Sequence, residues 1–307
     1  MHNSRILVFG RVGQVGWELR HKLACLGQIS VVDYPEADFA NADSIRSAVR
    51  AVEPTVIVNA AAYTAVDKAE SQLDLAMAIN ATGPGVLAEE AKRLGTLLVH
   101  YSTDYVFDGT KQGAWVETDA PNPLNIYGKS KLAGDLAIQA SGCDHLIFRT
   151  SWVYGARGSN FLLTMLRLAQ ERPELRIVAD QIGAPTTSEC IAQATSDVLA
   201  QFLAPGSAGL DGRSGIYNLT NTGEVSWHGF AKAILTDAST RFGIPLPSLA
   251  PIKTSDFPRP AQRPANSTLS VQRLEDTFGV VMPHWEFALS LVLDTLSQGV
   301  DYVLAKS

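Results

Sequence analysis

Short, nearly continuous apolar runs recur through the first half of the chain, at residues 6–9, 29–32, 55–58, 97–101 and 145–149. A strand with one wet face alternates apolar and polar residues, whereas a run without alternation marks a strand covered on both faces. Between the runs the apolar spacing becomes helical, at residues 15–26, 43–52, 73–94 and 127–140, the third interrupted by Gly83-Pro84-Gly85. Strand and helix taking turns with short connections predict an α/β fold, a doubly wound parallel sheet over residues 1–150.

Past residue 150 the pattern loosens. Helices are expected at 161–171, 189–203 and 226–242, a Gly/Ser/Pro-rich loop at 204–215 and a short strand at 216–219. Six prolines between Pro245 and Pro264 exclude long regular elements there. A last helix is expected over 285–305, with Leu289, Leu293 and Leu296 on one face. Residues 151–307 therefore read as mainly a smaller, loop-rich substrate-binding domain, with some segments returning to the sheet.

Composition narrows the function. With 46% hydrophobic and 18% charged residues, the chain has the apolar content of a folded protein, and disorder is excluded. A net charge of −6 without long runs of either sign offers no concentrated basic surface, so neither a nucleic-acid nor an anionic-membrane partner is expected. There is no apolar stretch of about 18 residues, residues 5–10 are too short an apolar core for a secretory leader to be expected, and the three scattered cysteines have no metal-type spacing. A cytoplasmic location is expected. G-x-S-x-G and H-E-x-x-H motifs are absent.

Two constellations carry chemistry. Gly10-Arg-Val-Gly-Gln-Val-Gly16 follows the first strand and opens the first helix. Glycines there permit a tight turn and bring backbone N–H groups to a pyrophosphate at the positive end of a helix. Asp33, at the end of the second strand, is placed to accept hydrogen bonds from an adenosine ribose and would repel a 2′-phosphate, while Arg11 could pair with one. NADPH and NADH both stay open on these two residues. The second constellation is Tyr127-Gly-Lys-Ser-Lys131, which puts a phenol and an ammonium one helical turn apart. A cation beside a phenol favours the phenolate, so the spacing predicts a Tyr127 pKa lowered by Lys131 together with a nicotinamide cation in a site shielded from water, and a tyrosine able to protonate an alkoxide. Ser102 and Thr103 end the fourth strand, where hydroxyls could hydrogen-bond a carbonyl under reduction. His100 reads as a core strand residue.

Gly10–Gly16, Asn59-Ala-Ala-Ala62, Ser102-Thr-Asp104 and Tyr127-x-x-x-Lys131 together resemble the extended short-chain dehydrogenases/reductases. Longer stretches at 13–19, 58–70, 101–107, 148–154 and 263–267 are similar to the dTDP-4-dehydrorhamnose reductase family, over essentially the whole chain. The resemblance implies a Rossmann-like fold and the reduction of the C4 ketone of dTDP-4-dehydro-L-rhamnose to dTDP-L-rhamnose by NADPH or NADH. It implies Tyr127 as proton donor, Lys131 as its partner and ribose anchor, and Thr103 as the hydroxyl at the carbonyl. Cofactor contacts would fall on Gly10, Gly13, Gln14, Val15, Gly16, Asp33, Asp38, Phe39, Ala62, Tyr63, Thr64, Tyr127 and Lys131. Thr103, Asp104 and Trp152 would touch the dTDP-sugar, and Arg263 is assigned to its diphosphate because guanidinium binds phosphate bidentately.

Relatives in that family hold a Mg²⁺ ion between subunits. Glu18 and Glu189 match two of its ligand positions, but the third falls near Thr295, with Asp294 one residue and about 100° of helix away. The expectation is a metal held weakly or not at all, and that a homodimer, if formed, relies on other contacts. Another sugar-nucleotide reductase or epimerase, or a non-catalytic regulatory relative, are the alternatives. A dehydratase is disfavoured, because Tyr105 stands where such relatives place Glu.

Overall fold

The computed structural model describes residues 4–207, 209–210 and 212–298. The first half runs β1 (Arg5–Phe9), α1 (Gln14–Lys22), β2 (Gln28–Val32), α2 (Ala42–Val52), β3 (Val56–Asn59), α3 (Val66–Ala69), α4 (Leu73–Met77), α5 (Gly83–Leu94), β4 (Leu97–Thr103), α6 (Ile126–Ser141) and β5 (His145–Thr150). The second half adds β6 (Val153–Tyr154), α7 (Phe161–Glu171), β7 (Glu174–Val178), β8 (Ile182–Gly183), β9 (Thr186–Thr187), α8 (Ser188–Phe202), β10 (Gly215–Asn218), β11 (Val225–Ser226), α9 (Trp227–Phe242), β12 (Ser248–Ile252), α10 (Gln272–Phe278) and α11 (Trp285–Ser297). Among these residues no helix is long and apolar enough to cross a membrane.

Six strands pair in parallel in the order β10-β5-β4-β3-β1-β2. Chain order reverses at β1, which has β2 on one side and β3 on the other; a crevice for ligands opens beyond the carboxyl ends at such a point. Successive strand residues explain the unbroken apolar runs. Ile6 and Val8 pack with Leu19 of α1, with Leu23 just past its end and with Ile191 and Val198 of α8, while Leu7 and Phe9 pack with α2, α5 and Ile138 of α6. The sheet thus recruits from the second half: β10 forms its edge, and α8 with α10 covers one face. A separate core joins α7, β7, α9 and α11 through Met165, Ile177, Phe230, Leu235, Leu289, Leu293 and Leu296. The expected face of the last helix is therefore buried; positions 299–305 of that expectation lie outside the described residues.

Two details depart from expectation. Gly83-Pro84-Gly85 does not interrupt its helix: α4 passes through a π-helical turn at Ala78–Thr82 straight into α5. Pro84 sits in the first turn of α5, where a missing N–H costs little. Within the proline-rich stretch, Ser248–Ile252 still pairs with β7, because Pro251 lies on a two-stranded ribbon, all edge.

Candidate active site

The glycine loop lies beyond the carboxyl ends of β1 and β3, where the crevice opens. Gly10 has φ +103°, and a Cβ on it would stand 2.9 Å from the Ala60 carbonyl carbon; a Cβ on Gly16 would strike the Gly10 oxygen. Those two glycines are demanded by the fold. Gly13 is different: at φ −67° it is unstrained, and the nearest atom a Cβ would meet is 3.8 Å away. It caps α1 with no side-chain hydrogen bond, so the first N–H groups of the helix, at Gln14, Val15 and Gly16, are left open at its positive end. A missing side chain over uncapped N–H groups fits a dinucleotide pyrophosphate.

Around this cradle the Asp33 carboxylate accepts from Val12 N at 3.1 Å and from Tyr34 N at 2.9 Å, which fixes it at the end of β2. After β3, Ala62 and Tyr63 are half-buried and Thr64 is exposed. The buried Asn80 clasps Tyr63 through both backbone groups, N–H to Oδ1 at 2.8 Å and Nδ2 to O at 3.0 Å. Asp38 accepts from Ala40 N, but the Phe39 ring is in the core, edge-on to Phe9 at 5.4 Å, so its side chain is not at the crevice surface. Gln14 Oε1 accepts from Asn160 Nδ2 at 2.9 Å, tying the loop to the second half of the chain.

Tyr127, Lys131 and Asp135 form one stripe of α6 facing β4. Asn125 starts that helix, accepting from Gly128 N at 2.8 Å, and its Nδ2 donates to Gln262 O at 2.7 Å. The buried Lys131 Nζ donates to Tyr101 O at 2.6 Å and lies 3.1 Å from His100 Nε2. His100 Nδ1 in turn meets Asn59 Nδ2 at 3.0 Å. Burial pushes the lysine down to about 8, with Asp135 opposing, and drives the imidazole well below its ordinary range, with Lys131 adding to the effect. His100 is thus more than the core strand residue its apolar neighbours suggest. Its juxtaposition with Lys131 depends on the pairing of two elements and leaves no local signal.

Two expectations are corrected here. The Tyr127 phenol is pushed up to about 12, not down: burial dominates, the nearby Thr103 hydroxyl pulls the other way, and Asp104 and Asp135 add to the rise. The long lysine stem carries Nζ inward to a strand carbonyl, so sharing a helix face does not by itself bring ammonium to phenol. Ser102 is likewise committed, its buried hydroxyl donating to Asp135 Oδ2 at 2.8 Å. Thr103 is the last residue of β4 and is buried. It donates to Asp104 Oδ1 at 3.1 Å and accepts from Tyr105 N at 3.2 Å. Asp104, buried with Oδ2 unpartnered, is pushed up to about 7 by desolvation. Tyr105 packs edge-on against the Tyr127 ring at 5.5 Å.

Arg263 reaches this edge of the site but is already engaged. Nη1 and Nη2 bind Asp67 Oδ1 and Oδ2 at 2.9 and 3.0 Å, and Nη1 also donates to Ala261 O. The diphosphate role assigned to it would require sharing or displacing that carboxylate, a partner 196 residues distant that sequence reasoning missed. Trp152 adopts φ +48°, a backbone strain that bulky residues rarely carry outside functional sites. Its indole stacks on Trp227 at 3.5 Å, and a Cβ on Gly183 would stand 2.5 Å from it. Only the part these two leave free can meet a sugar.

Glu18 and Glu189 lie close enough that Glu189 helps burial raise the Glu18 pKa. Lys22 Nζ sits 2.9 Å from Glu189, while Asp294 pairs with Arg241 on α9. Among the described residues no three His, Cys, Asp or Glu side chains converge as a metal would need.

Residues 4–298 match the family model described as the RmlD substrate binding domain. A dTDP-4-dehydrorhamnose reductase of Burkholderia thailandensis is 50% identical over 298 residues, 96% of this chain and all of that protein. The reductase structure from Clostridium acetobutylicum superposes with a TM-score of 0.87 at 36% identity, covering 95% of this chain and 99% of that one. The Bacillus anthracis reductase, solved in complex with NADP, gives 0.85 at 35%, with the same coverage. With a cradle shaped for a dinucleotide and a threonine, tyrosine and lysine gathered beside it, the chain belongs to the dTDP-4-dehydrorhamnose reductase family.

Proposed function

We propose that the chain reduces the C4 ketone of dTDP-4-dehydro-L-rhamnose to dTDP-L-rhamnose, with NADPH or NADH as the reductant. The observation that carries the reading is the placement of Thr103 at the carboxyl end of β4, with Tyr127 and the buried Lys131 on one stripe of α6 packed beside that strand, in a chain half identical to a named reductase along its whole length. A reduced nicotinamide supplies a hydride when bound. As that hydride forms the new C4–H bond, the carbonyl π pair moves to oxygen, and Tyr127 Oη gives that oxygen its proton. Thr103 holds the same oxygen by hydrogen bond. The phenolate left on Tyr127 is stabilised by the newly oxidised, cationic ring and, from a distance, by the charge on Lys131, whose ammonium is held at Tyr101 O.

In the free chain the phenol, at about 12, is a firmly protonated acid, the state needed at the start of reduction. Gly13 and the open N-terminus of α1 bind the pyrophosphate, and Asp33 binds the adenosine ribose. Asp104 and the free part of Trp152 border the sugar. Oxidation of NADPH and NADH with dTDP-4-dehydrorhamnose tests the reading: wild type consumes both, and Tyr127→Phe loses several orders of magnitude in rate. A Tyr127→Phe variant of unchanged rate would end it.

A further inference from the structure

The adenosine end of the cradle is crowded with charge. Asp33, Glu36 and Asp38 lie within six residues, and Arg11 projects from the glycine loop beside them. Asp33 is immobilised by Val12 N and Tyr34 N, the residues that follow Arg11 and Asp33 in the chain. Arg11 is spoken for. Its Nη2 lies 2.9 Å from Glu36 Oε1, and Nε is buried without a partner. The two side chains are 41% and 53% exposed, so an incoming ligand can reach the pair. Glu36's own backbone N–H and Arg11 hold its carboxyl below the usual range, so it is charged throughout the neutral region.

We propose that Glu36 governs the choice between NADPH and NADH by occupying the guanidinium of Arg11. The inference rests on the reading of this crevice as a dinucleotide site. A ribose 2′-hydroxyl needs an acceptor, which Asp33 supplies irrespective of Glu36. A 2′-phosphate needs a cation, and Arg11 is the nearest; to use it the phosphate must displace a carboxylate and then remain beside it. With Glu36 charged, Arg11, Asp33 and Glu36 sum to one negative charge; without it they sum to zero. An exposed ion pair is weak, so the exchange is within reach of a phosphate dianion, and Glu36 handicaps NADPH without barring it. One unit charge acting across a solvated gap of several ångströms corresponds to about five- to tenfold in affinity.

The test is equilibrium binding of NADPH and NADH, each titrated into the full chain and followed by quenching of tryptophan fluorescence, with no sugar nucleotide present. Expected for Glu36→Gln is NADPH binding tightened about five- to tenfold at low salt, a gain that shrinks as salt rises, and NADH binding within twofold of wild type. Arg11→Ala should weaken NADPH alone, and adding Glu36→Gln to it should give no further gain. Equal effects on both dinucleotides, no effect on either, or a gain that persists without Arg11 would overturn the proposal. Failure of wild type to bind either dinucleotide would overturn the underlying reading and the proposal with it, a distinct result from altered selectivity.

Discussion

Replacing Lys131 by Met should make the folded chain more stable near pH 7 while abolishing its activity. The amine is 1% exposed and pushed from 10.5 down to about 8, so keeping it charged in the fold costs about 3 kcal/mol at 1.36 kcal/mol per pH unit. Met fills a similar volume without charge, but strands the Tyr101 carbonyl and leaves His100 Nε2 without its neighbour, a loss of about 1–2 kcal/mol. The net gain is about 1–2 kcal/mol. Its pH dependence is diagnostic. Because the folded-state pKa lies below the unfolded one, the unfolded chain binds the proton more tightly; the penalty is complete below about pH 8 and vanishes as pH passes the ordinary lysine value. Urea denaturation of both proteins at pH 7 and pH 10 measures this. The Met variant should lead at pH 7 and lose that lead by pH 10. A variant less stable at pH 7, or a difference that ignores pH, would refute a buried and strained lysine.

Reduction should follow the same group: kcat/KM should fall about tenfold per unit above about pH 8, as Lys131 in the free chain loses its charge. A limb absent up to pH 9.5 would remove Lys131 from the chemistry. Asn125→Ala deletes both the cap of α6 and its tie to Gln262, and should cost about 1–2 kcal/mol in urea denaturation, whereas Asn125→Asp, which keeps the cap, should recover part of it. Exhaustive chelation should leave the rate unchanged, since Lys22 already pairs with Glu189 and Asp294 is held by Arg241. Stoichiometric Mg²⁺ that survives purification, and is lost in Glu189→Ala, would contradict that.

What could be read from the chain was what local pattern encodes. Continuous apolar runs at residues 6–9 and 55–58 announce strands buried on both faces, and the cores on either side of β1 and β3 bear this out. The spacing of Tyr127 and Lys131 correctly gives one helix face, and the glycine spacing gives the loop before α1. Long-range partners were not legible. Nothing near Arg263 points to Asp67, and nothing near Lys131 says that its stem turns inward to Tyr101 O. The pKa of Tyr127 went the other way because burial is a property of the assembled fold, whereas a neighbouring cation is visible in the sequence. Pro84 was read as a break because its ring clashes with a regular helix, and the π-helical turn just before it is not written in any single residue.

The stacked indoles of Trp152 and Trp227, 3.5 Å apart and 10° from parallel, have an optical consequence. Two chromophores that close share their excited state and give a paired circular-dichroism band of opposite signs. Trp17, Trp115 and Trp285 face arginines, Phe107 and Phe230 instead, and form no indole pair. One of the two coupled rings follows directly on β5, at the strained turn where the sugar is proposed to lie. The chain therefore carries its own spectral gauge, in which any ligand that tilts Trp152 rewrites the couplet without a label or a mutation.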